Sequence, residues 1–265
     1  SLNNYYSDKV GIEIRSQGEL IDREIALIEK SGLDQLAPVE TWTALGTNQQ
    51  LAYATHGIFR YFGKFPPPIA TYMISQYTKE KDLVIDPMCG SGTTALEAGI
   101  LKRRCAVNDV NPLSVLISKV KTTKIDKSLL EEKLEYLKAN YCPMSLEEYA
   151  FVPVALKDPD HWFLKETSDS LRGIKYLIEQ ETDTNLKNFL KVIFAATIRR
   201  VSRATTQQGR LFLDVATALE DAFPTFEKRY EIGMKGLAEL PEISDIEYYN
   251  VDLKDLSAID YKGKA

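Results

Sequence analysis

The stretch Asp86-Pro87-Met88-Cys89-Gly90-Ser91-Gly92-Thr93-Thr94 decides the fold class of this chain. Leu83, Val84 and Ile85, just before it, form a short apolar run suited to a buried parallel strand, and the residues from Thr93 to Ile100 read as the start of a helix. Gly90 and Gly92 let the backbone turn sharply and approach a ligand with no Cβ in the way. The helix that follows offers free N–H groups at its N-terminus. Strand, glycine turn and helix in this order predict an α/β protein with a nucleotide-type ligand at the turn.

Downstream, Cys105-Ala106-Val107 reads as a second buried strand ending at Asn108-Asp109, and Asn111-Pro112 opens a new helix from Leu113. An acidic residue about twenty positions past the glycine turn is where a Rossmann-like fold places a carboxylate to accept hydrogen bonds from ribose hydroxyls. Asp109 is that candidate; a helix N-cap or turn aspartate is the other reading of the same residue. Lys102-Arg103-Arg104 reads as a solvated helix end. The dinucleotide fingerprint G-x-G-x-x-G is incomplete, since Ala95 follows Thr93 and Thr94, which sets a dinucleotide oxidoreductase aside.

Upstream, Thr55 to Pro68 combines aromatics, Arg60, Lys64 and the run Pro66-Pro67-Pro68, and Ile69 to Tyr77 reads as a helix whose entrance the prolines suit. This segment is either a rigid loop anchored by aromatics or a lid over the ligand held by the glycine turn. Before it, residues 16 to 32 read as a helix with Ser16 and Glu19 as a capping box and Gly32 as C-cap, and Leu33 to Gln50 as irregular. Residues 1–50 form an N-terminal helical extension in this reading.

From about 125 to 240 the periodicity is helical and strand signals are scarce: Leu130, Leu134 and Leu137 share a face, as do Leu171, Ile174 and Ile178. This segment reads as a helical insertion, 125–240, in a core made of 51–124 and 241–265. Inside it, Lys191 to Leu213 carries Lys191, Arg199, Arg200, Arg203 and Arg210 with no Asp or Glu. Either acidic neighbours in space balance this basic run, or it meets phosphates. Strand character returns at Ile246 to Val251.

Length and composition agree with one sizeable α/β domain. Of the 265 residues 44% are hydrophobic and 27% charged, no stretch is apolar enough to cross a bilayer, and no signal peptide is visible, so a cytoplasmic location is expected. Cys89, Cys105 and Cys142 lack CxxC spacing and indicate neither a disulfide framework nor a zinc site. The net charge of -5 argues against a uniformly basic nucleic-acid binder while leaving room for a local basic face.

FGKFPPP (62–68), DPMCGSGTT (86–94) and NDVNP (108–112), in that order, resemble the S-adenosylmethionine-dependent DNA amino-methyltransferases, which methylate adenine N6 or cytosine N4. The resemblance is strong over residues 51–121 and loose beyond, through Trp162-Phe163 and Ile198 to Arg203. It implies a partial Rossmann-like class I methyltransferase sheet carrying a large helical insertion. It assigns S-adenosylmethionine to Asp86, Pro87, Met88, Cys89, Gly90, Ser91, Gly92 and Thr93, the ribose to Asp109 and the adenine to Asp252, with Lys64, Phe65 and Pro66 closing the pocket. DNA is the implied partner, with Arg199, Arg200, Arg203 and Arg210 as the nucleic-acid-binding candidates.

One departure is large. The family's signature Ser/Asp/Asn-Pro-Pro-Tyr, which holds the target amino group and stacks on the flipped base, occurs nowhere in these 265 residues, and Pro66-Pro67-Pro68 between Phe65 and Ile69 is no substitute. The resemblance thus implies the cofactor half of such an enzyme, with no catalytic residue assigned. The missing motif would sit on a second chain or on a missing C-terminal part, making this a split subunit or a truncated chain. An RNA methyltransferase component and a non-catalytic specificity or scaffold subunit are the alternative readings.

Overall fold

The computed structural model describes residues 13–15, 43–45, 50–145, 159–207, 210–214 and 220–254. The expected helix over 16–32 and the residues after 254 lie outside the described residues. At the start of the chain, β1 (Glu13–Arg15) pairs antiparallel with β2 (Thr43–Leu45), so the segment expected to be irregular contributes a short strand.

The centre is a three-stranded parallel sheet. β3 (Leu83–Asp86) and β4 (Arg104–Asn108) are joined through α2 (Thr93–Ile100), and β7 (Ile246–Tyr249) lies on the far side of β4. Cys105, Ala106 and Val107 are almost fully enclosed, as the middle strand of a parallel sheet must be. The Leu83-Val84-Ile85 run, expected to be buried, is only half-buried, because β3 is an edge of this sheet among the described residues. α1 (Pro67–Tyr77) packs on α2, and its prolines occupy the first helical positions, where no intrahelical N–H bond is lost.

Helices make up most of the remainder: α3 (Pro112–Thr122), α4 (Lys127–Asn140), α5 (Pro159–Trp162), α6 (Lys165–Glu179), α7 (Thr184–Val201) and α8 (Ala222–Ala238). The leucine and isoleucine faces expected from periodicity are buried, and they join Leu96, Ile117 and Ile58 in one continuous apolar cluster. The helical segment is thereby packed directly onto the sheet layer through α3 and α7. A hairpin of β5 (Ala204–Gln207) and β6 (Arg210–Leu213) interrupts it, where no strand was expected; the polar Ala204-Thr-Thr-Gln run lacks the apolar alternation that marks a strand.

Arg103 corrects the expectation of a solvated basic helix end. It is 6% exposed, and its guanidinium donates to Leu101 O at 2.6 Å, Thr78 O at 2.8 Å and Thr78 Oγ1 at 3.1 Å. The chain must turn back into β4 at this point, and Arg103 closes that turn. No described helix is long and apolar enough to cross a membrane.

Candidate functional site

In open parallel sheets, ligands bind outside the carboxyl ends of the strands. Here Asp86 stands opposite Val107, so the loop after β3 and the loop after β4 leave the sheet side by side. Backbone bonds fix the first loop: Cys89 N donates to Asn108 O at 2.8 Å, Gly92 N to Cys89 O at 2.8 Å and Met88 N to Asp86 Oδ1 at 3.1 Å. Gly90 and Gly92 have φ of 51° and 71°, a region costly for any residue with a Cβ. Gly92 has a second reason to be glycine, since a Cβ there would stand 2.7 Å from Ser118 Cα on α3. A Cβ on Gly90 would meet the ring of Tyr61 at 3.2 Å.

Asp109 joins the two loops. Its Oδ2 accepts from Gly90 N and its Oδ1 from Asn111 N, both at 2.9 Å. The cap of α3 is Asn111 instead, whose Oδ1 accepts from Leu113 N at 3.0 Å. Asp109 is thus a turn-forming brace that also touches the glycine loop, with further lone pairs on both oxygens.

Two asparagines that sequence reading passed over complete the frame. Asn108 is fully buried; its amide donates to Pro87 O at 3.2 Å and Val251 O at 3.1 Å, and its Oδ1 accepts from Val251 N at 3.0 Å. Asn250 donates to Asp109 O at 2.6 Å. A polar side chain closing an otherwise apolar strand was the available signal for Asn108. Asp252, two residues beyond Asn250, is exposed and accepts from Lys254 N at 3.0 Å.

Beneath the loop lies a network that no motif announced. Glu97 is completely buried on α2 and accepts from His56 Nε2 at 2.8 Å, from Thr71 Oγ1 at 2.6 Å and from the Tyr53 hydroxyl. Burial opposes its charge, but these donors outweigh that and hold its carboxyl below the usual range. Burial, with Lys121 close by, lowers His56 to about 4, so His56 is neutral and donates from Nε2. Its Nδ1 is buried without a partner. Lys121 is likewise buried; it donates to Ser91 O at 2.8 Å, and burial, with Lys64 adding to it, brings it down to about 7. Cys89 is pushed up to about 11 by burial and is not a thiolate at neutral pH.

The remaining candidates divide between inside and outside. Ser91 and Thr93 are each 3% exposed and their hydroxyl oxygens have no partner. Pro87 and Met88 sit on the outer rim of the loop, Met88 at 71% exposure. Lys64 turns inward and donates to His56 O at 3.2 Å, and burial lowers its pKa. Phe65 instead lines an apolar cleft of about 390 Å³ beside β3, with Ile69, Met73 and Val84; Pro66 is exposed next to it. The basic candidates lie apart from the loop. Arg199 and Arg200 end α7 and line a separate cleft; Arg203 follows, its backbone tied to Trp162 O and Asp214 N, and Arg210 begins β6.

A family model of DNA methylases, N6/N4 type, matches residues 24–120. The type II methyltransferase M.MvaI of Kocuria varians is 30% identical over 174 residues, which is 63% of this chain and 38% of that protein. The type II methyltransferase M.MjaII of Methanocaldococcus jannaschii is 35% identical over 79 residues, 30% of this chain and 15% of that protein. The chain therefore spans well under half the length of these curated relatives. No solved structure matches. The matched residues 24–120 contain the 62–68, 86–94 and 108–112 segments whole, and over them the chain is similar to the N6/N4 DNA methylases.

Proposed function

We propose that this chain is the S-adenosylmethionine-binding part of a DNA methyltransferase that modifies an exocyclic amino group of adenine or cytosine, of the restriction-modification kind and cytoplasmic. The observation that carries the reading is the glycine loop at the carboxyl end of β3, braced by Asp109 from the neighbouring strand, within a segment matched by a DNA methylase model. The partial sheet is the Rossmann-like class I arrangement in this reading, with Asp109 at the end of its second strand.

The residues present fit the cofactor. The unpartnered hydroxyls of Ser91 and Thr93 stand at the N-terminus of α2, where a carboxylate finds N–H donors and a favourable dipole. Lys64 and Lys121, both held close beneath the loop, favour the same negative group. Asp86, which ends β3, and Asp109, which follows β4, place two carboxylates at the loop, where a cationic group is welcome. Asp109 has lone pairs left for ribose hydroxyls, and Asp252 stands beyond β7 for the adenine. When bound, S-adenosylmethionine supplies an electrophilic methyl group on a sulfonium sulfur.

What this chain contributes is positioning. Methyl transfer to an amino nitrogen needs the nitrogen in line with the methyl, and a rigid cradle removes that entropy cost in advance. The base-gripping Pro-Pro-Tyr element is not among the 265 residues. In this proposal it comes from another segment or a second chain, and these residues alone bind cofactor without methylating DNA. Calorimetry with S-adenosylhomocysteine tests the first half: micromolar binding is expected, weakened at least about tenfold by Asp109→Ala. Absence of heat at high protein concentration would remove the cofactor reading. Transfer of a labelled methyl group to DNA by the chain alone would remove the second half, and preference for tRNA over duplex DNA at matched salt would move the substrate to RNA.

A further inference from the structure

Away from the glycine loop, a cleft of about 370 Å³ is lined by Arg60, Arg199, Arg200 and Arg229, with Phe59 and Thr205 beside them. These arginines come from the loop before α1, the end of α7 and the middle of α8, so no short motif contains them. Among the described residues no carboxylate lines the cleft. Glu220 approaches Arg200 at 3.9 Å, with both side chains about half exposed, and such a pair is worth little.

Guanidinium groups from three elements thus bring positive charge to one concavity, in a protein whose net charge is -5. Arg229 is further constrained. Its Nη2 donates to Gly57 O at 3.1 Å and Ile58 O at 2.6 Å, while its buried Nε has no partner. Desolvation, with Arg200 close by, lowers its pKa, so the cation is held at a cost that an anion would offset. Planar guanidinium forks match the oxygens of a phosphate, and the small side chains of Ala195, Ala196 and Ala204 in the same wall leave room for it.

The cleft is also wired to the glycine loop. Phe59 and Arg60 face it, and the next residue, Tyr61, bonds Ser114 Oγ at 2.9 Å and lies against Gly90. We infer that the Arg60–Arg199–Arg200–Arg229 cleft seats a backbone phosphate of the nucleic acid on which the methyltransferase acts. This rests on the DNA reading above. It moves the phosphate contact from the run 199–210 alone to a pocket assembled from three elements, with Arg60 and Arg229 as new members. A phosphate held by Arg60 sets the strand's register one residue from the contact between Tyr61 and the cofactor loop.

The test measures duplex DNA binding by fluorescence anisotropy across a salt series for the chain, Arg60→Ala, Arg200→Ala and Arg229→Lys, with S-adenosylhomocysteine calorimetry on each. Arg60 and Arg200 are exposed, so their truncation leaves the fold intact. Each alanine variant is expected to bind DNA about three- to tenfold more weakly at moderate salt, with the slope of log affinity against log salt reduced by about one. Arg229→Lys keeps the charge, loses the fork and weakens binding at an unchanged slope. Cofactor affinity stays as in the parent chain throughout. Inorganic phosphate and ADP added as competitors displace DNA only at millimolar concentration. Slopes and affinities equal to the parent's in both alanine variants, with DNA still bound, would sink the cleft and leave the DNA reading standing. A parent chain that binds S-adenosylhomocysteine but no DNA overturns both, and displacement by micromolar ADP makes the cleft a free-nucleotide site instead.

Discussion

The floor of the glycine loop and the arginine cleft are both gatherings of ionisable groups, built in opposite ways. Under the loop, Glu97, His56 and Lys121 are completely enclosed, and each reaches a named partner at 2.8 Å. In the cleft, the cations are mostly open to solvent and no described carboxylate lines the wall. Buried charges must be satisfied inside the protein, because an unpaired one costs several kcal/mol. Surface charges can wait for an outside partner at little cost. Groups enclosed against one another therefore mark a scaffold, and cations gathered around an open cleft mark a place that an anion can fill.

The sharpest way to break this contrast is at the scaffold. Gly92→Ala should cost about 2 to 4 kcal/mol and abolish cofactor binding, because it combines a left-handed φ of 71° with a Cβ 2.7 Å from Ser118 Cα. Thermal melts and calorimetry read the two effects; a variant that melts and binds like the parent would show that the loop can relax away from α3. Next comes acid. His56 is lowered to about 4 from its ordinary 6.5, so the unfolded chain binds the extra proton between those values. The associated stability, about 3 kcal/mol, is complete above pH 6.5 and drains away as pH falls towards 4. Urea midpoints across this range should fall in the parent chain and fall less in His56→Gln, whose amide still donates to Glu97.

Lys121 sharpens the comparison from the basic side. Its folded pKa of about 7 is far below the ordinary 10.5, so the folded chain releases that proton first and stability rises with pH through that window. Lys121→Met should remove this rise, as urea midpoints at the two ends of the window would record. The smallest effect belongs to the cleft: Glu220→Gln, which frees Arg200 from a half-exposed pair at 3.9 Å, should leave stability within about 0.5 kcal/mol and tighten DNA binding about twofold at low salt. A large stability loss there would mean that the cleft is a structural network after all.

These differences also explain what could be read from the sequence. Asp86 to Thr94 is legible because a tight turn between strand and helix imposes local rules, glycine at positive φ among them, and those rules leave a contiguous trace. Asp109 follows from the same local logic one strand later. Nothing local imposes Glu97 or His56: a glutamate four positions into a helix is ordinary until the fold places Tyr53, His56 and Thr71 around it. The arginine run at 199–210 was visible as composition, yet Arg60 and Arg229, more than a hundred residues apart, share its cleft only through packing. β5 and β6 were missed for a related reason, since two four-residue strands, the first of them polar, carry little periodicity. The edge position of β3 also lies in the topology, and no residue in Leu83-Val84-Ile85 declares it.

Asn108 carries one further consequence, which concerns the order of folding. A single amide group bonds Pro87 in the glycine loop and Val251 near the far end of the described chain, 143 residues away. The loop's frame is thus closed by one of the least local contacts in the molecule, and contacts of that separation form late because the intervening chain must first lose its freedom. The helices between them can assemble from nearby contacts beforehand. Competence to hold a ligand then arrives as one of the last events of folding, so ligand binding doubles as a reporter that β7 has docked. A chain stopped short of Val251 during synthesis would have every residue of the Asp86–Thr94 turn and still lack its final clasp.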